Sequence, residues 1–324
     1  MHAWKPLFRQ HQSLPIDYPT KVERVDIIAN LGASSNSTED DAEVFMYEFL
    51  SDKFVLPLPF PFRQILAKRI AKKRKSIYCK NSQKVAINGR SPIFEYTESL
   101  AKKVEKLTGR KTYFAYRYGK NNLSNVIEKA RANKATQFCI LPMFPQNSMP
   151  TTQSMKNALE KIKKFSHEKF DFIESYCDNP LYIQALADSM KDVESDALIA
   201  SFHSVPMSMK NPYAQECEKT IELLCQKSGR RNVLLGWQSK TGKGKWLEPS
   251  TESLIRKLTA RGIKNIAVLC AGFSIDCTET LIEIDSDLRK YFYERGGEKF
   301  TYIPCLNDSD THAEILCNVL EKIK

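Results

Sequence analysis

Short apolar runs alternate along this chain with longer segments in which apolar residues recur every three or four positions. The short runs are rich in β-branched residues, which predicts strands. They are Val25–Leu31, Thr112–Arg117, Gln137–Met143, Phe170–Ser175, Ala197–Phe202, Val233–Trp237, Asn265–Cys270 and Phe300–Pro304. The longer segments predict helices, which are Asp41–Leu50, Phe94–Thr108, Leu123–Asn133, Thr152–Phe165, Pro180–Lys191, Ala214–Lys227, Thr251–Ala260 and Asp276–Tyr293. Because strands that alternate with helices form parallel sheets, we expect an α/β fold with two Rossmann-like, doubly wound domains, each with a four-stranded parallel sheet flanked by helices.

Polar stretches follow most of the predicted strands directly. In open parallel sheets, ligands bind beyond the carboxyl ends of the strands, so these stretches are the first candidates for a binding site. They are Gly32–Asn36, Tyr118–Asn122, Pro145–Ser148, His203–Pro206, Gln238–Ser239 and Gly272–Glu279. The pattern therefore predicts one cleft, lined by strand ends from both domains.

His203 stands at the carboxyl end of the apolar run Ala197–Phe202. A neutral imidazole is both a metal ligand and a base near neutral pH. A histidine in a loop can equally serve only as a hydrogen-bonding group. The position at the edge of the predicted cleft makes these two interpretations about equally good.

Four carboxylates, Asp276, Glu279, Glu283 and Asp287, follow at spacings of three, four and four residues. This spacing predicts that all four share one face of a helix. Such a row could guide a cation or accept protons. It could also be a helix start, with Asp276 as the N-cap and Glu279 at the third helical position.

The segment Phe54–Phe62 alternates Phe, Leu and Pro, and a dense basic cluster, Lys68–Lys75, comes soon after it. Apolar side chains beside basic ones suit either an anionic bilayer surface or an apolar anionic ligand. A loop packed on the core, followed by a solvated basic helix, explains the pattern equally well.

Composition narrows the classes of function. The chain has 324 residues and a net charge of +11, which attracts anions. No nucleic-acid-binding motif accompanies that charge, and GxGxxG, P-loop and GxSxG patterns are absent from the sequence. We therefore expect no nucleic-acid partner, no nucleotide site and no serine hydrolase. Met1–Thr20 lacks the apolar core of a signal peptide. The nine cysteines form no CxxC pair, which favours reduced thiols in a cytoplasmic protein.

Seven groups of short segments match motifs of one family in the same order along the chain. They are Ile27–Gly32 (NLG), Gly89–Pro92 (GGSP), Leu141–Ser148 with Thr151–Ser154 (LPLYPQxS and TTGS), Ser201–Pro206 (a metal-site histidine motif), Trp237–Ser239 with Trp246–Pro249 (WQS and WLxP), Gly272–Leu281 (GFxxDxxETL) and Tyr302–Asn307 (YIPALN). From about Ile27 to Lys322, the chain thus resembles the ferrochelatase family, in particular its proteobacterial members.

The resemblance implies insertion of Fe²⁺ into a free-base porphyrin, protoporphyrin IX being favoured, with release of two protons. It implies that His203 and Glu279 are the catalytic and metal-binding residues. Asp276 and Glu283 would extend the acidic row, while the porphyrin would contact Leu31, Ser91, Arg117 and Phe273. It also implies a first domain of residues 1–171 plus 306–324 and a second domain of residues 172–305.

The resemblance carries expectations about partners as well. The segment Phe54–Lys75 lies where the family has the lip of the cleft, so peripheral contact with an anionic membrane is conceivable at the inner face of the membrane. The cysteine-bearing extension that holds a [2Fe–2S] cluster in some members is absent after Lys324, so we expect no cofactor beyond the Fe²⁺ substrate.

The chain departs from the family pattern mainly around the expected porphyrin site. Ser34 stands where the family usually has Pro, and Asn88 and Arg90 alter the Gly-rich turn. The loop between Pro206 and Pro212 is shortened. A non-catalytic porphyrin or haem carrier on the same fold, or a chelatase for another metal or tetrapyrrole, therefore stays open as an alternative.

Overall fold

The computed structural model describes residues 23–34, 38–164, 166–242 and 244–323. The segment Met1–Thr20, the end of the strand-end stretch at 35–36 and the predicted helix end at Phe165 lie outside the described residues.

All eight predicted strands are present among the described residues, each within a few residues of its predicted bounds. They are β1 (Arg24–Asn30), β2 (Thr112–Tyr116), β3 (Gln137–Pro142), β4 (Lys169–Phe172), β5 (Ala197–His203), β6 (Val233–Gln238), β7 (Asn265–Leu269) and β8 (Lys299–Ile303). The fourth strand ends at Phe172 rather than at Ser175, because only its first four residues pair with β3.

Helices connect the strands. They are α1 (Glu39–Leu50), α2 (Phe62–Lys84), α3 (Pro92–Thr108), α4 (Leu123–Ala132), α5 (Ser154–Lys163), α6 (Pro180–Ser189), α7 (Tyr213–Ser228), α8 (Thr251–Ala260), α9 (Thr278–Leu281), α10 (Arg289–Tyr293) and α11 (Asp310–Glu321). Two π-helical segments, Met149–Gln153 and Glu283–Leu288, precede α5 and α10. A short 3₁₀ turn covers Met207–Met209.

The strands form two four-stranded parallel sheets with equivalent orders, β2-β1-β3-β4 and β6-β5-β7-β8. In the first sheet the central strands are β1 and β3, and in the second they are the equivalent strands β5 and β7. Both sheets are therefore wound in the same way. Helices cover both faces, which explains why the strands read as nearly continuous apolar runs. The predicted fold class, two doubly wound α/β units, is confirmed.

The two sheets share one large apolar core, which includes Ile28 and Leu141 of the first sheet and Leu198 and Ala200 of the second. Helix α11 follows β8 but packs mainly on α3. Arg24 of β1 donates to the carbonyl oxygens of Leu320 and Ile323 near the end of α11, at 2.8 and 2.6 Å. These contacts agree with a C-terminal helix that returns to the first unit. The boundaries 1–171 plus 306–324 and 172–305 stay a prediction.

The helix predicted over Asp276–Tyr293 begins later and is not regular. Cys277 is the N-cap of α9, and its N–H donates to Thr280 Oγ1 at 3.0 Å. The alternative in which Asp276 caps the helix and Glu279 stands at its third position is therefore wrong by one residue. A π-helical segment follows, in which the Asp287 N–H donates to the Ile282 carbonyl, five residues earlier, at 2.8 Å.

Most of the cysteines are buried, and burial keeps their thiols protonated. None of the nine forms a disulfide in the structure described, and all but Cys225 are buried. Burial raises the pKa of the Cys139 thiol to about 12 and that of Cys177 to about 11, so these thiols stay protonated at neutral pH. Among the described residues, no helix is both long enough and apolar enough to cross a membrane.

Candidate functional site

His203 is the last residue of β5, and its side chain is exposed at the carboxyl edge of the second sheet. Its Nδ1 lies 2.7 Å from the carbonyl oxygen of Ser204. Because a carbonyl can only accept, Nδ1 carries the proton and Nε2 keeps its lone pair in the neutral ring. The Tyr213 hydroxyl also donates to the His203 carbonyl at 2.9 Å. The ring is thus fixed by its neighbours, and the nitrogen that can bind a metal is the exposed one.

Glu279 lies in the first turn of α9, half-buried, after the neighbouring strand β7. An acidic side chain there is stabilised by the amino-terminal end of the helix dipole. One carboxylate oxygen accepts a hydrogen bond from Thr278 Oγ1 at 2.8 Å. The helix starts where it does because Cys277 is its N-cap and forms a capping box with Thr280. β5 and β7 are paired strands, so His203 and Glu279 stand at the same edge of the sheet.

Residues at the end of β6 connect the strand of His203 to the helix of Glu279 through hydrogen bonds. Gln238 lies opposite His203 in the β5–β6 register. Its Nε2 donates to the carbonyl oxygen of Glu279 at 2.8 Å, and its Oε1 accepts from Ser201 Oγ at 2.7 Å. The next residue, Ser239, donates from both its N–H and its hydroxyl to the Glu283 carboxylate, each at 2.5 Å.

Glu283 has an unusual electrostatic environment. Burial raises the pKa of its carboxyl, the hydrogen bonds from Ser239 and the electrostatic interaction with His203 lower it, and the charge of Glu279 raises it. The net pKa lies above the ordinary glutamate value. Both His203 and Glu279 therefore contribute to the electrostatic environment of Glu283.

Asp276 does not continue this acidic row along the helix. Its buried carboxylate precedes α9 and accepts hydrogen bonds from Thr280 Oγ1 at 2.9 Å, Asn307 Nδ2 at 2.7 Å and the Tyr302 hydroxyl. Asp287 is exposed and lies within the π-helical segment Glu283–Leu288. The prediction that the four carboxylates share one helical face is therefore wrong, because Asp276 precedes the helix and the π-segment shifts the spacing before Asp287.

Residues of the first unit were expected to contact the macrocycle. Leu31 follows β1 and is half-buried, and its carbonyl accepts from the Tyr118 N–H at 3.2 Å. Gly32 has a φ of +95°, and a Cβ there would lie 2.9 Å from the Tyr118 carbonyl oxygen. Only glycine fits this close approach. On the second unit, Phe273 is a half-buried member of the aromatic and aliphatic cluster behind β7.

Arg117 is already paired in the structure. Its Nη2 lies 2.5 Å from Asp52 Oδ2, and its Nε donates to Ser154 Oγ at 2.7 Å. Ser154 and Tyr118 hydroxyls also donate to the same Asp52 oxygen. These hydrogen bonds and the charge of Arg117 outweigh burial and hold the pKa of Asp52 below its ordinary value. The hydrogen bonds of Arg117 to the described residues use its Nε and Nη2 groups. No sequence pattern pointed to Asp52 as part of this site.

A second residue that sequence reasoning missed is Tyr78, on the long helix α2. Its ring stacks on Phe45 of α1 with 5.7 Å between ring centroids. Burial and the charge of Glu279 raise its pKa above the ordinary phenol value. The hydrogen bond from the Ser34 backbone acts in the opposite direction. Helix α2 therefore reaches from the first unit to the neighbourhood of Glu279.

Among the residues that the structure describes, no group of three or more His, Cys, Asp or Glu side chains is arranged to hold a metal ion. The candidate metal site is the pair His203 and Glu279.

Comparison with known proteins decides the family. The sequence model of the ferrochelatase family matches residues 27–323. The chain belongs to the ferrochelatase family. A ferrochelatase from Vibrio cholerae serotype O1 is 32% identical over 308 residues, which cover 91% of this chain and 96% of the relative. A ferrochelatase from Marinobacter nauticus is 33% identical over 321 residues, covering 91% of this chain and 85% of the relative.

Solved structures of chelatases share the fold of this ferrochelatase-family chain. The structure of SirB from Bacillus subtilis with Fe³⁺ matches with a TM-score of 0.59 and 8% identity, over 93% of this chain and 95% of that one. The sirohydrochlorin chelatase SirB from the subspecies spizizenii, in complex with cobalt, matches with a TM-score of 0.57 and 8% identity, over the same shares. At such low identity the likeness shows the fold alone.

The structure also explains how this member of the ferrochelatase family tolerates its altered Gly-rich turn. Asn88 adopts a left-handed φ of 51°, a conformation that Asn accepts more readily than most residues. Arg90 pairs with Glu95 at 2.8 Å and with Glu98 at 2.7 Å on α3. Ser91, predicted to contact the porphyrin, is the half-buried N-cap of that helix, and its side chain makes no capping hydrogen bond.

Proposed function

We propose that this chain inserts Fe²⁺ into a free-base porphyrin to give haem, with His203 and Glu279 as the residues that bind the metal and hand it to the ring. Membership of the ferrochelatase family supports the reaction. The observation that supports the residue assignment best is the tautomer of His203. Its Nδ1–H is held by the Ser204 carbonyl, which leaves an exposed Nε2 lone pair at the sheet edge where Glu279 also stands.

The chemistry exchanges two pyrrole protons for one Fe²⁺, and the iron keeps its oxidation state. No electrons are transferred, so the reaction needs no resident redox cofactor, and we propose that the enzyme uses none. The protons need acceptors close to the metal. His203 and Glu279 are the nearest candidates, and Glu283 is a further one. Asp276, whose carboxylate accepts three strong hydrogen bonds, is better suited to holding the Gly272–Cys277 turn in place.

The macrocycle would lie between the two units. Leu31 from the first sheet edge and Phe273 from the second offer apolar contacts for its two faces. Ser91 and Arg117 offer polar ones for its carboxylates. Binding energy from these contacts could bend the ring and expose the pyrrole nitrogens to the metal.

Anaerobic incubation of the pure protein with Fe²⁺ and protoporphyrin tests this function. We expect metal-dependent changes in the Soret band and loss of the free-base visible bands, with multiple turnovers. Parallel assays with coproporphyrin, and with Co²⁺ or Zn²⁺, identify the preferred substrates. A Soret shift on porphyrin binding with no further change on addition of any metal would instead support the non-catalytic carrier.

We also propose that the α1–α2 hairpin contacts an anionic membrane. Most of the exposed large apolar side chains among the described residues lie on it, with Phe60 75% exposed, Phe62 65% and Ile77 61%. Helix α2 contains nine basic residues and no acidic one. Bilayers with anionic lipids attract such a combination of basic and apolar side chains. Because Tyr78 of α2 is close to Glu279, this surface would place the cleft next to the lipid in which porphyrins dissolve.

Co-sedimentation with phosphatidylcholine vesicles, with and without phosphatidylserine, tests the membrane contact. Lys72→Gln with Lys73→Gln should weaken binding to the anionic vesicles about 30-fold, since each basic residue near the surface contributes about 1 kcal/mol. The matched control, Lys161→Gln with Lys164→Gln at the end of α5, removes the same charge elsewhere and should bind as wild type. Equal losses in the two double variants, or no binding by wild type, would refute this contact.

A further inference from the structure

Two consecutive residues at the end of β6, Gln238 and Ser239, hydrogen-bond to the helix that carries Glu279 and Glu283. We call this pair the β6 clamp. The clamp is in register with His203, because Gln238 pairs with His203 across the β5–β6 ladder and the Ser204 N–H donates to the Gln238 carbonyl at 2.8 Å. One end of the clamp is therefore fixed to the strand that ends in the candidate metal ligand.

Gln238 connects the two strands and the helix through its side chain. It is buried, and both ends of its amide are paired: Oε1 with Ser201 Oγ and Nε2 with the Glu279 carbonyl. Ser201 lies two residues before His203 on the same strand, and its hydroxyl is also 3.0 Å from Thr251 Oγ1. The amide therefore spans the separation between the His203 strand and the Glu279 backbone.

Ser239 hydrogen-bonds to the carboxylate of Glu283. It adopts a left-handed φ of +64°, a conformation that costs free energy for a residue other than glycine. In that conformation its N–H meets one oxygen of Glu283 and its hydroxyl meets the other. A glycine would adopt the backbone more easily but would lack the hydroxyl. Serine thus supplies a second donor at a position where the backbone favours a residue without a side chain.

We propose that the β6 clamp is a positioning element for metal transfer: Gln238 sets the place of Glu279 relative to His203, and Ser239 holds the Glu283 carboxylate beside them. The inference rests on the proposed function and adds to it two residues that contact neither metal nor porphyrin. Their effect is exerted on the helix backbone and on one carboxylate. A positioning role predicts that turnover and stability respond differently to substitution.

The substitution Ser239→Gly distinguishes an effect on turnover from an effect on stability. It removes the hydroxyl bond to Glu283 and relieves the left-handed strain, so the melting temperature should stay the same or rise. The turnover number for iron insertion should fall about tenfold, with the porphyrin KM unchanged, as is usual when a group that orients a reactive side chain is lost. Ser239→Ala should share the loss of turnover but melt at a lower temperature than Ser239→Gly, because it keeps the strain.

A matched control is Lys134→Gly, since Lys134 follows α4 far from the cleft residues in the fold and has a similar φ of +66°. It should relieve the same kind of strain without changing turnover. If Ser239→Gly turns over iron as fast as wild type, or if Lys134→Gly loses as much activity, Ser239 has no positioning role.

Co²⁺ alone provides a readout that does not depend on turnover. Visible absorption of the bound ion reports its affinity, and Gln238→Met, which keeps the length of the side chain but cannot donate to Glu279, should weaken Co²⁺ binding about tenfold. Gln184→Met, the same change on α6, should leave the affinity unaltered. Unchanged Co²⁺ affinity in Gln238→Met would overturn this part of the inference. If wild type failed to insert iron, that would count against the proposed function, while the Co²⁺ titration would still decide whether Gln238 positions the metal site.

Discussion

His203→Ala should lower the rate of iron insertion about 10³-fold, a loss typical of removing a group that takes part directly in proton or metal transfer. Alanine removes the exposed Nε2, whereas the Ser204 carbonyl that orients the ring and the Tyr213 hydroxyl bonded to the His203 backbone remain. Porphyrin binding, followed by fluorescence quenching, should change little, because we propose that the apolar contacts come from Leu31 and Phe273. Steady-state turnover under anaerobic conditions measures the effect.

Two comparisons make this result specific. His167→Ala removes an exposed imidazole on the loop before β4 and should turn over iron at the wild-type rate. Added imidazole should partly restore His203→Ala, since the side chain it replaces is exposed and the space it leaves is open to solvent. Chelation by His203→Ala within a few-fold of wild type would remove His203 from the mechanism, and the metal would then need another ligand.

The arrangement of the strands could be predicted from the sequence because the central strands of both sheets are buried on both faces. Ala197–His203 has six buried residues in a row before its exposed last one, and such a run stands out against polar surroundings. The same burial explains why the polar residue after each run marks the sheet edge. The sequence alone therefore predicts His203 and Gln238 as strand-end candidates.

Side-chain partners far apart in the sequence could not be predicted in this way. Arg117 pairs with Asp52, 65 residues earlier, and the charge of Glu279 raises the pKa of Tyr78, about 200 residues earlier in the sequence. Periodicity records only which face of an element is apolar. The π-helical segment after α9 was missed for a related reason: one additional residue per turn is tolerated there by tertiary contacts, such as the Ser239–Glu283 bonds, and leaves no local signal.

The pairing of Glu283 with Ser239 separates the roles of the two glutamates. Glu283 has both oxygens engaged and a raised pKa, which suits a group that holds or passes a proton. The side-chain partners of the Glu279 carboxylate, the Thr278 hydroxyl and the Cys277 thiol, lie within two residues of it in the sequence. Its position therefore depends on its backbone, which Gln238 holds, and the carboxylate itself is available to a metal.

Glu279→Gln should accordingly slow iron insertion about 10²-fold while porphyrin affinity stays near that of wild type, since the change removes the negative charge and proton acceptor but keeps the side-chain shape. The backbone bond from Gln238 and the bond from Thr278 can both persist, so the fold around α9 should be preserved. Turnover measured against Fe²⁺ concentration, together with a separate porphyrin titration, distinguishes the two effects.

Glu294→Gln serves as the matched control, because Glu294 is an exposed carboxylate at the end of α10 in the same helical stretch. It should leave both measurements unchanged, which excludes a general effect of removing one negative charge from this basic chain. If Glu279→Gln instead weakens porphyrin binding more than it slows insertion, Glu279 contacts the macrocycle rather than the metal. The metal would then be bound by His203 and Glu283. In that case the bonds from Ser239 to Glu283, rather than the Gln238 amide, would be the more important part of the β6 clamp.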